Sequence, residues 1–228
     1  MFVIKNEKVK KVFKIIIPLA VIPAVTVCGS LVFDEQKHIF VSLMVAFFSL
    51  VLFITGFEKK VTGTRRMVLV AVMTAISVLG RFIPFFKPIT AITVITAMYL
   101  GGEAGFLVGS LSALLSNFYF GQGPWTAFQM LAWGLIGFFA GLIAESLKKN
   151  RGLLLLYGVL SGIIFSFIMD VWTVLWYNAG FDVELYLLSI EAAVPHTILY
   201  AVSNFIFLFV LAKPFGDKLE RIKIKYGV

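Results

Sequence analysis

Long apolar runs follow one another along almost the whole chain, and no other feature narrows the possible folds so far. Eight are read: Val12 to Phe33, Ile39 to Phe57, Met67 to Ile83, Ile89 to Leu100, Ala104 to Phe120, Thr126 to Leu147, Leu153 to Tyr177 and Ala192 to Ala212. A membrane-crossing helix needs roughly 20 mainly apolar residues, and most of these runs supply them. With 60% hydrophobic and 14% charged residues and a mean hydropathy of +0.98, the chain lies far from a soluble domain, where about a quarter of residues are charged. Backbone polar groups in lipid must be satisfied within the segment, and the runs are continuous, not alternating, so helices are expected instead of a barrel. The expected fold class is an all-α integral membrane protein.

The charges between the runs test this reading. Lys5, Lys8, Lys10, Lys11 and Lys14 flank the start of the first run. Lys59, Lys60, Arg65 and Arg66 follow the second, Lys148, Lys149 and Arg151 follow the sixth, and Lys213, Lys218, Arg221, Lys223 and Lys225 follow the eighth. Of the 20 Lys and Arg, only Lys37, Arg81 and Lys87 fall on the opposite side. The positive-inside rule then places both termini in the cytoplasm of a multi-pass cell-membrane protein with an even number of spans. The net charge of +8 is explained by this topology and by anionic lipid, which removes the case for nucleic acid. The lysine-rich start before an apolar run invites a secretory-signal reading, but the run to Phe33 is long for one, and an uncleaved first span is expected. The single Cys28 allows no internal disulfide, and no Cys/His spacing suggests a metal.

The polar stretch Glu58 to Arg66 divides the chain into an N-terminal transmembrane hairpin, residues 1–60, and a six-helix core with a basic tail, residues 61–228. Pro18 and Pro23 should kink the first helix. In the core, small residues recur at four-residue spacing: Gly101, Gly105, Gly109 and Ala113, then Gly137 and Gly141, then Gly158 and Gly162. Such rows let helix backbones approach closely in lipid.

Enzymatic signatures are missing. There is no Gly-x-x-x-x-Gly-Lys-Ser/Thr loop for nucleotide phosphates, Gly109-Ser-Leu-Ser112 lacks a nucleophile elbow, and His38 and His196, the only histidines, have no zincin spacing. No catalytic or metal-ligating residue is assigned. Polar and aromatic groups gather instead at the end opposite the lysines: Arg81 and Lys87, then Gln122, Trp125 and Gln129, then Trp172, Trp176 and Asn178, with Asp170 a little deeper. His196, Tyr200 and Asn204 share one face of the last helix. Interfacial belts account for part of the aromatics, but not for ionisable groups near lipid, which usually face a cavity or a partner. Asp170 either neutralises Arg81 or contacts a ligand. Gly121, Gly123 and Pro124 make a defined turn, and Gln129 falls one helical turn after Trp125, so both could face one pocket if Trp125 starts the next helix. An amide with an indole suits a flat, polar solute. The candidate substrate-binding residues are Arg81, Gln122, Trp125, Gln129, Asp170, Trp172, Trp176, Asn178, His196 and Tyr200.

Ala71-Val-Met-Thr-Ala75 in the first core helix, the glycine-rich helices and Gly121-Gln-Gly-Pro-Trp-Thr-Ala-Phe-Gln-Met-Leu-Ala-Trp-Gly134 together resemble the substrate-binding S components of energy-coupling factor (ECF) vitamin transporters. The resemblance runs from about Arg65 to Ala212, and the N-terminal hairpin departs from the six-helix pattern. It implies that this chain captures a vitamin outside the cell, while a membrane coupling protein and two ATPase subunits drive import. ATP would then be hydrolysed by the partners, with no cofactor in this chain. It carries Ala71 and Ala75 over as contacts for the coupling protein, and it implies that the loaded subunit topples in the membrane. The added hairpin is similar to that of the cobalamin group, and cobalamin (vitamin B12) is the substrate so implied. Queuosine precursors fit the same description. A self-sufficient carrier or a non-transporting assembly subunit are the competing readings.

Overall fold

The computed structural model describes residues 6–32, 38–56, 60–178 and 180–226. The run ends expected at Phe33 and Phe57, Glu58 of the dividing stretch, and Lys5, Lys37 and Lys59 of the charge tally lie outside the described residues. What is described is helical, without a strand: α1 (Glu7–Ile16), α2 (Ile22–Val32), α3 (His38–Thr55), α4 (Lys60–Gly80), α5 (Ile89–Leu100), α6 (Gly102–Phe120), α7 (Trp125–Leu142), α8 (Ala144–Lys149), α9 (Arg151–Asn178) and α10 (Val183–Tyr226).

Among the described residues, six stretches are long and apolar enough to cross a membrane: Lys8–Val32, His38–Thr55, Gly63–Gly80, Trp125–Leu142, Arg151–Asn178 and Val183–Tyr226. The protein is an all-α, multi-pass membrane protein. Two of the eight expected runs, those in α5 and α6, do not qualify. With 12 residues, α5 is roughly 18 Å long, well short of a hydrocarbon core of about 30 Å. The 19-residue α6 is diluted by buried Glu103, Ser110, Ser112, Ser116 and Asn117. Both are interior helices. Every residue of α5 except Tyr99 is buried, so protein, not lipid, forms its surroundings, and its composition need not be that of a lone span.

Small residues set the packing of this interior. A side chain at Gly137 would come within 2.5 Å of the Gly105 backbone, and one at Gly109 within 2.6 Å of the Trp133 backbone. The backbones of α6 and α7 therefore touch, as the glycine rows predict, and dispersion over that contact holds the pair together. The same device joins α9 to α10, where a Cβ on Gly162 would meet the Ala201 nitrogen at 2.7 Å and Asn204 donates to the Gly158 carbonyl at 3.0 Å. Asn204 is thus spent on helix packing.

The expected kink in the first span takes the form of a π turn, Ile17–Val21, joining α1 to α2. Pro18 lies in it; without an N–H, proline breaks the regular ladder, and a wider turn accommodates the loss. The hairpin is fastened to the core at one end of the bundle. Lys14 of α1 and Arg66 of α4 both pair with Glu103 of α6, the latter at 3.6 Å, and Arg66 also donates to the Gly56 carbonyl at 2.7 Å and to the Leu100 carbonyl. The basic residues of α8 and of the α10 tail gather at this same end: Arg65 reaches the Tyr226 carbonyl, and Lys148 lies over the Tyr99 ring. Arg81 and the Trp-rich groups occupy the opposite end.

Candidate functional site

The connection between α6 and α7 is built by its own side chains. Gly121 turns the chain out of α6 at φ 106°, a conformation other residues adopt only with strain, while its N–H still donates to the Asn117 carbonyl at 2.9 Å. Trp125 starts α7, and its ring folds back over Gly123, where a Cβ would overlap it. Thr126 Oγ1 accepts from the Gly123 N–H at 3.3 Å and donates to Gln122 Oε1 at 3.0 Å, while Gln122 Nε2 donates to the Leu114 carbonyl at 2.9 Å. Gln122 therefore braces the loop with both ends of its amide.

From this loop a polar chain runs across the bundle. Arg81, just past the end of α4, donates through Nη1 to Ser116 Oγ and to Asn117 Oδ1, each at 2.5 Å. Asn117 Nδ2 in turn donates to Thr126 Oγ1 at 2.8 Å and to Gln129 Oε1 at 2.9 Å. The guanidinium also lies 5.0 Å from the Phe120 ring centre and 5.8 Å from that of Trp133, within cation–π range. Burial lowers the Arg81 pKa from its ordinary value, with Tyr200 opposing, yet an arginine so placed stays a cation. Lys87 secures the connection that follows, through its amine on the Arg81 carbonyl at 2.7 Å and its backbone N–H on Ser203 Oγ at 2.9 Å.

Aromatic rings wall this polar edge. Trp125, Gln129 and Trp133 succeed one another at i, i+4 and i+8 along α7, while Phe165 and Trp172 sit two turns apart on α9. The Trp125 and Trp172 rings meet edge-on at 5.8 Å, Trp133 stacks on Phe165 at 4.6 Å, and Tyr200 of α10 adds its edge to Phe165 at 5.1 Å. Trp172 also stacks with Trp176 at 6.4 Å, and its Nε1 is buried without a hydrogen-bond partner among the described residues. The Gln129 amide lies between the two tryptophans of α7, beside the Arg81 guanidinium.

The structure thus brings Arg81, Gln122, Trp125, Gln129, Trp172 and Tyr200 together, with Trp176 adjoining. Asn178 and His196 are exposed at the same end and make no contact with the polar chain. Asp170 lies elsewhere. It shares a face of α9 with Ser166, which accepts from Thr197 of α10 at 2.6 Å, and it interacts electrostatically with Tyr186. Its Oδ2 is buried and unpartnered among the described residues, and Arg81 is engaged by Ser116 and Asn117. Among the described residues no ion pair joins Asp170 to Arg81. Ala71 and Ala75 are exposed on α4, on a face continued by Val68, Val72 and Leu79. Sequence reasoning missed Ser116, Asn117, Thr126 and Phe165. The available signal was Asn117 itself, the one amide in α6.

Residues 61–221 match the family model described as ECF-type riboflavin transporter, S component. No curated protein and no solved structure matches the chain. An S component is a substrate-binding transport subunit and not an enzyme; it takes a vitamin-type ligand and works with the membrane and ATPase subunits of the ECF module. A bundle of apolar helices, a polar and aromatic cluster confined to one end, and a family match over most of the length converge: the chain belongs to the ECF-type riboflavin transporter S-component family.

Proposed function

We propose that this S component captures a flat heteroaromatic vitamin, riboflavin or a close relative, against the polar and aromatic cluster that α6, α7 and α9 form at the Arg81 end of the bundle. The supporting observation is the Gln129 amide and Arg81 guanidinium set beside Trp125, Trp133, Phe165 and Trp172. Clustered aromatic rings suit a planar ligand of the isoalloxazine kind, and a compact polar edge suits its carbonyl and ring-nitrogen side. In this reading Arg81, Gln129, Trp125, Trp172 and Tyr200 touch the substrate, while Trp176, Asn178 and His196 form the rim. Gln122 holds the loop, and Asp170 lies outside the contact set. Both termini are cytoplasmic in the cell membrane, Ala71 and Ala75 meet the coupling protein, and the partner subunits hydrolyse the ATP.

Cobalamin, the substrate suggested by the added hairpin, is the competing ligand. A corrin carries amides around its whole periphery and calls for dispersed polar partners; the cluster beside Gln129 is a single connected edge, which favours the smaller planar ligand. Calorimetric titration of the purified protein with riboflavin and with cobalamin decides between them. Riboflavin binding is expected; cobalamin binding without riboflavin binding would overturn the substrate reading while leaving the S-component role intact.

A further inference from the structure

We infer that Asn117, which need not touch the substrate, fixes the polar relay so that its guanidinium and amide present hydrogen-bond donors to the site and select a ligand edge made of acceptors. The inference rests on the planar-vitamin reading above and adds the polarity of the recognised edge.

The argument starts from the one group whose polarity is not in doubt. A guanidinium has donors and no acceptor. Whichever Asn117 atom lies 2.5 Å from Arg81 Nη1 must then be its carbonyl oxygen, Oδ1. That choice turns the Asn117 NH2 toward α7, where it donates to Thr126 Oγ1 and to Gln129 at 2.9 Å. The Gln129 atom receiving it must again be the oxygen, Oε1, so the Gln129 NH2 is left on the other side. Charge at Arg81 has in this way set the orientation of an amide two residues down the relay.

The unspent polar atoms follow. Gln129 Nε2 has no partner among the described residues. Arg81 bonds through Nη1 alone, leaving Nη2 and Nε. Trp172 Nε1 is buried and unpartnered. All three are donors, while the amide oxygens of Asn117, Gln122 and Gln129 already accept; the Tyr200 hydroxyl, which can donate or accept, adapts to either. A ligand edge of adjacent carbonyl oxygens and pyridine-type nitrogens satisfies this set. An edge of amino groups would leave donors facing donors in a largely desolvated site, which is costly.

Asn117→Asp inverts the relay. The carboxylate still accepts from Arg81 but can donate nothing, so Gln129 turns its NH2 toward residue 117 and its oxygen toward the site. The ligand-free test uses side-chain amide NMR on glutamine-labelled protein, where the chain has Gln36, Gln122 and Gln129 and Gln129→Met assigns the signal. The Gln129 amide is expected to exchange freely in the parent protein and to slow by about tenfold in N117D. Equal exchange in the two proteins, or a protected Gln129 amide in the parent, overturns the proposal.

The second arm uses riboflavin with its 1-deaza, 5-deaza, 2-thio and 4-thio analogues, which weaken one edge acceptor at a time while nearly keeping the shape. The parent should prefer riboflavin to at least one analogue by about tenfold, and the preference should fall toward unity in N117D with the thermal unfolding transition retained. An unchanged preference overturns the inference. Absence of riboflavin binding to the parent protein overturns the substrate reading instead, and the NMR arm then decides the polarity alone.

Discussion

At the scale of single residues, Arg81 is the most consequential side chain of the site. One guanidinium satisfies Ser116 and Asn117, covers the Phe120 ring and keeps donors free. Lysine cannot reproduce a planar fork, so Arg81→Lys is expected to weaken vitamin binding about a hundredfold, as two charge-assisted hydrogen bonds would imply; calorimetry checks it, and an affinity within threefold of the parent would exclude the role. The Trp125 and Gln129 pairing was readable from a four-residue spacing behind a Gly-Pro turn. Asn117 was not, because its importance lies in partners on two other elements, and spacing within one helix carries no information about them. Asp170 shows the converse: a lone acid near lipid stands out in the sequence, while its place beside the Ser166–Thr197 bond between α9 and α10 does not.

At the scale of helices, contacts between backbones dominate. A valine at position 137 would overlap the Gly105 backbone, which cannot move aside as a flexible side chain can. Gly137→Val should therefore destabilise the bundle by about 1–3 kcal/mol through overpacking, seen as a lower unfolding temperature in detergent; an unchanged transition would show that α6 and α7 can slide apart at no cost. The ends of α5 were legible because Pro88 and Gly101 bracket it. Those of α10 were not: the apolar run marks only Ala192 to Ala212, whereas the helix begins at Val183, where the Asp182 carboxylate accepts the Leu185 N–H at 2.7 Å. It continues through Pro195 and Pro214 to Tyr226. Hydropathy follows lipid contact and is blind to helix outside it. The sixth run, read as continuous to Leu147, breaks at Ile143, which leaves helical geometry between α7 and α8.

At the scale of the molecule, the proposed tasks divide between the two ends. We predict that Ala71→Trp or Ala75→Trp, on an exposed face of α4, abolishes uptake in cells carrying the ECF module and leaves vitamin affinity within twofold; loss of affinity would mean that this face supports the site. Uptake that persists without the ATPase subunits would instead reveal a self-sufficient carrier. For orientation, with Cys28 replaced by serine, Asn178→Cys should react with an impermeant maleimide added outside intact cells and Ser146→Cys should not. The reverse pattern would invert the proposed topology.

The interior position of α5 and α6 bears on how the protein is made. Neither helix is long and apolar enough to qualify as a span, so neither has a sufficient reason to leave the translocation machinery for lipid by itself. Joined by the single residue Gly101, they have to enter as a pair, beside α4 and ahead of the covering helices α7, α9 and α10. Membrane insertion and tertiary folding are then one event for this part of the chain. With Cys28 replaced by serine, a cysteine placed in α5 of a nascent chain stopped after Leu100 should react with an aqueous maleimide, whereas the same cysteine in a chain carried through Leu142 should be protected.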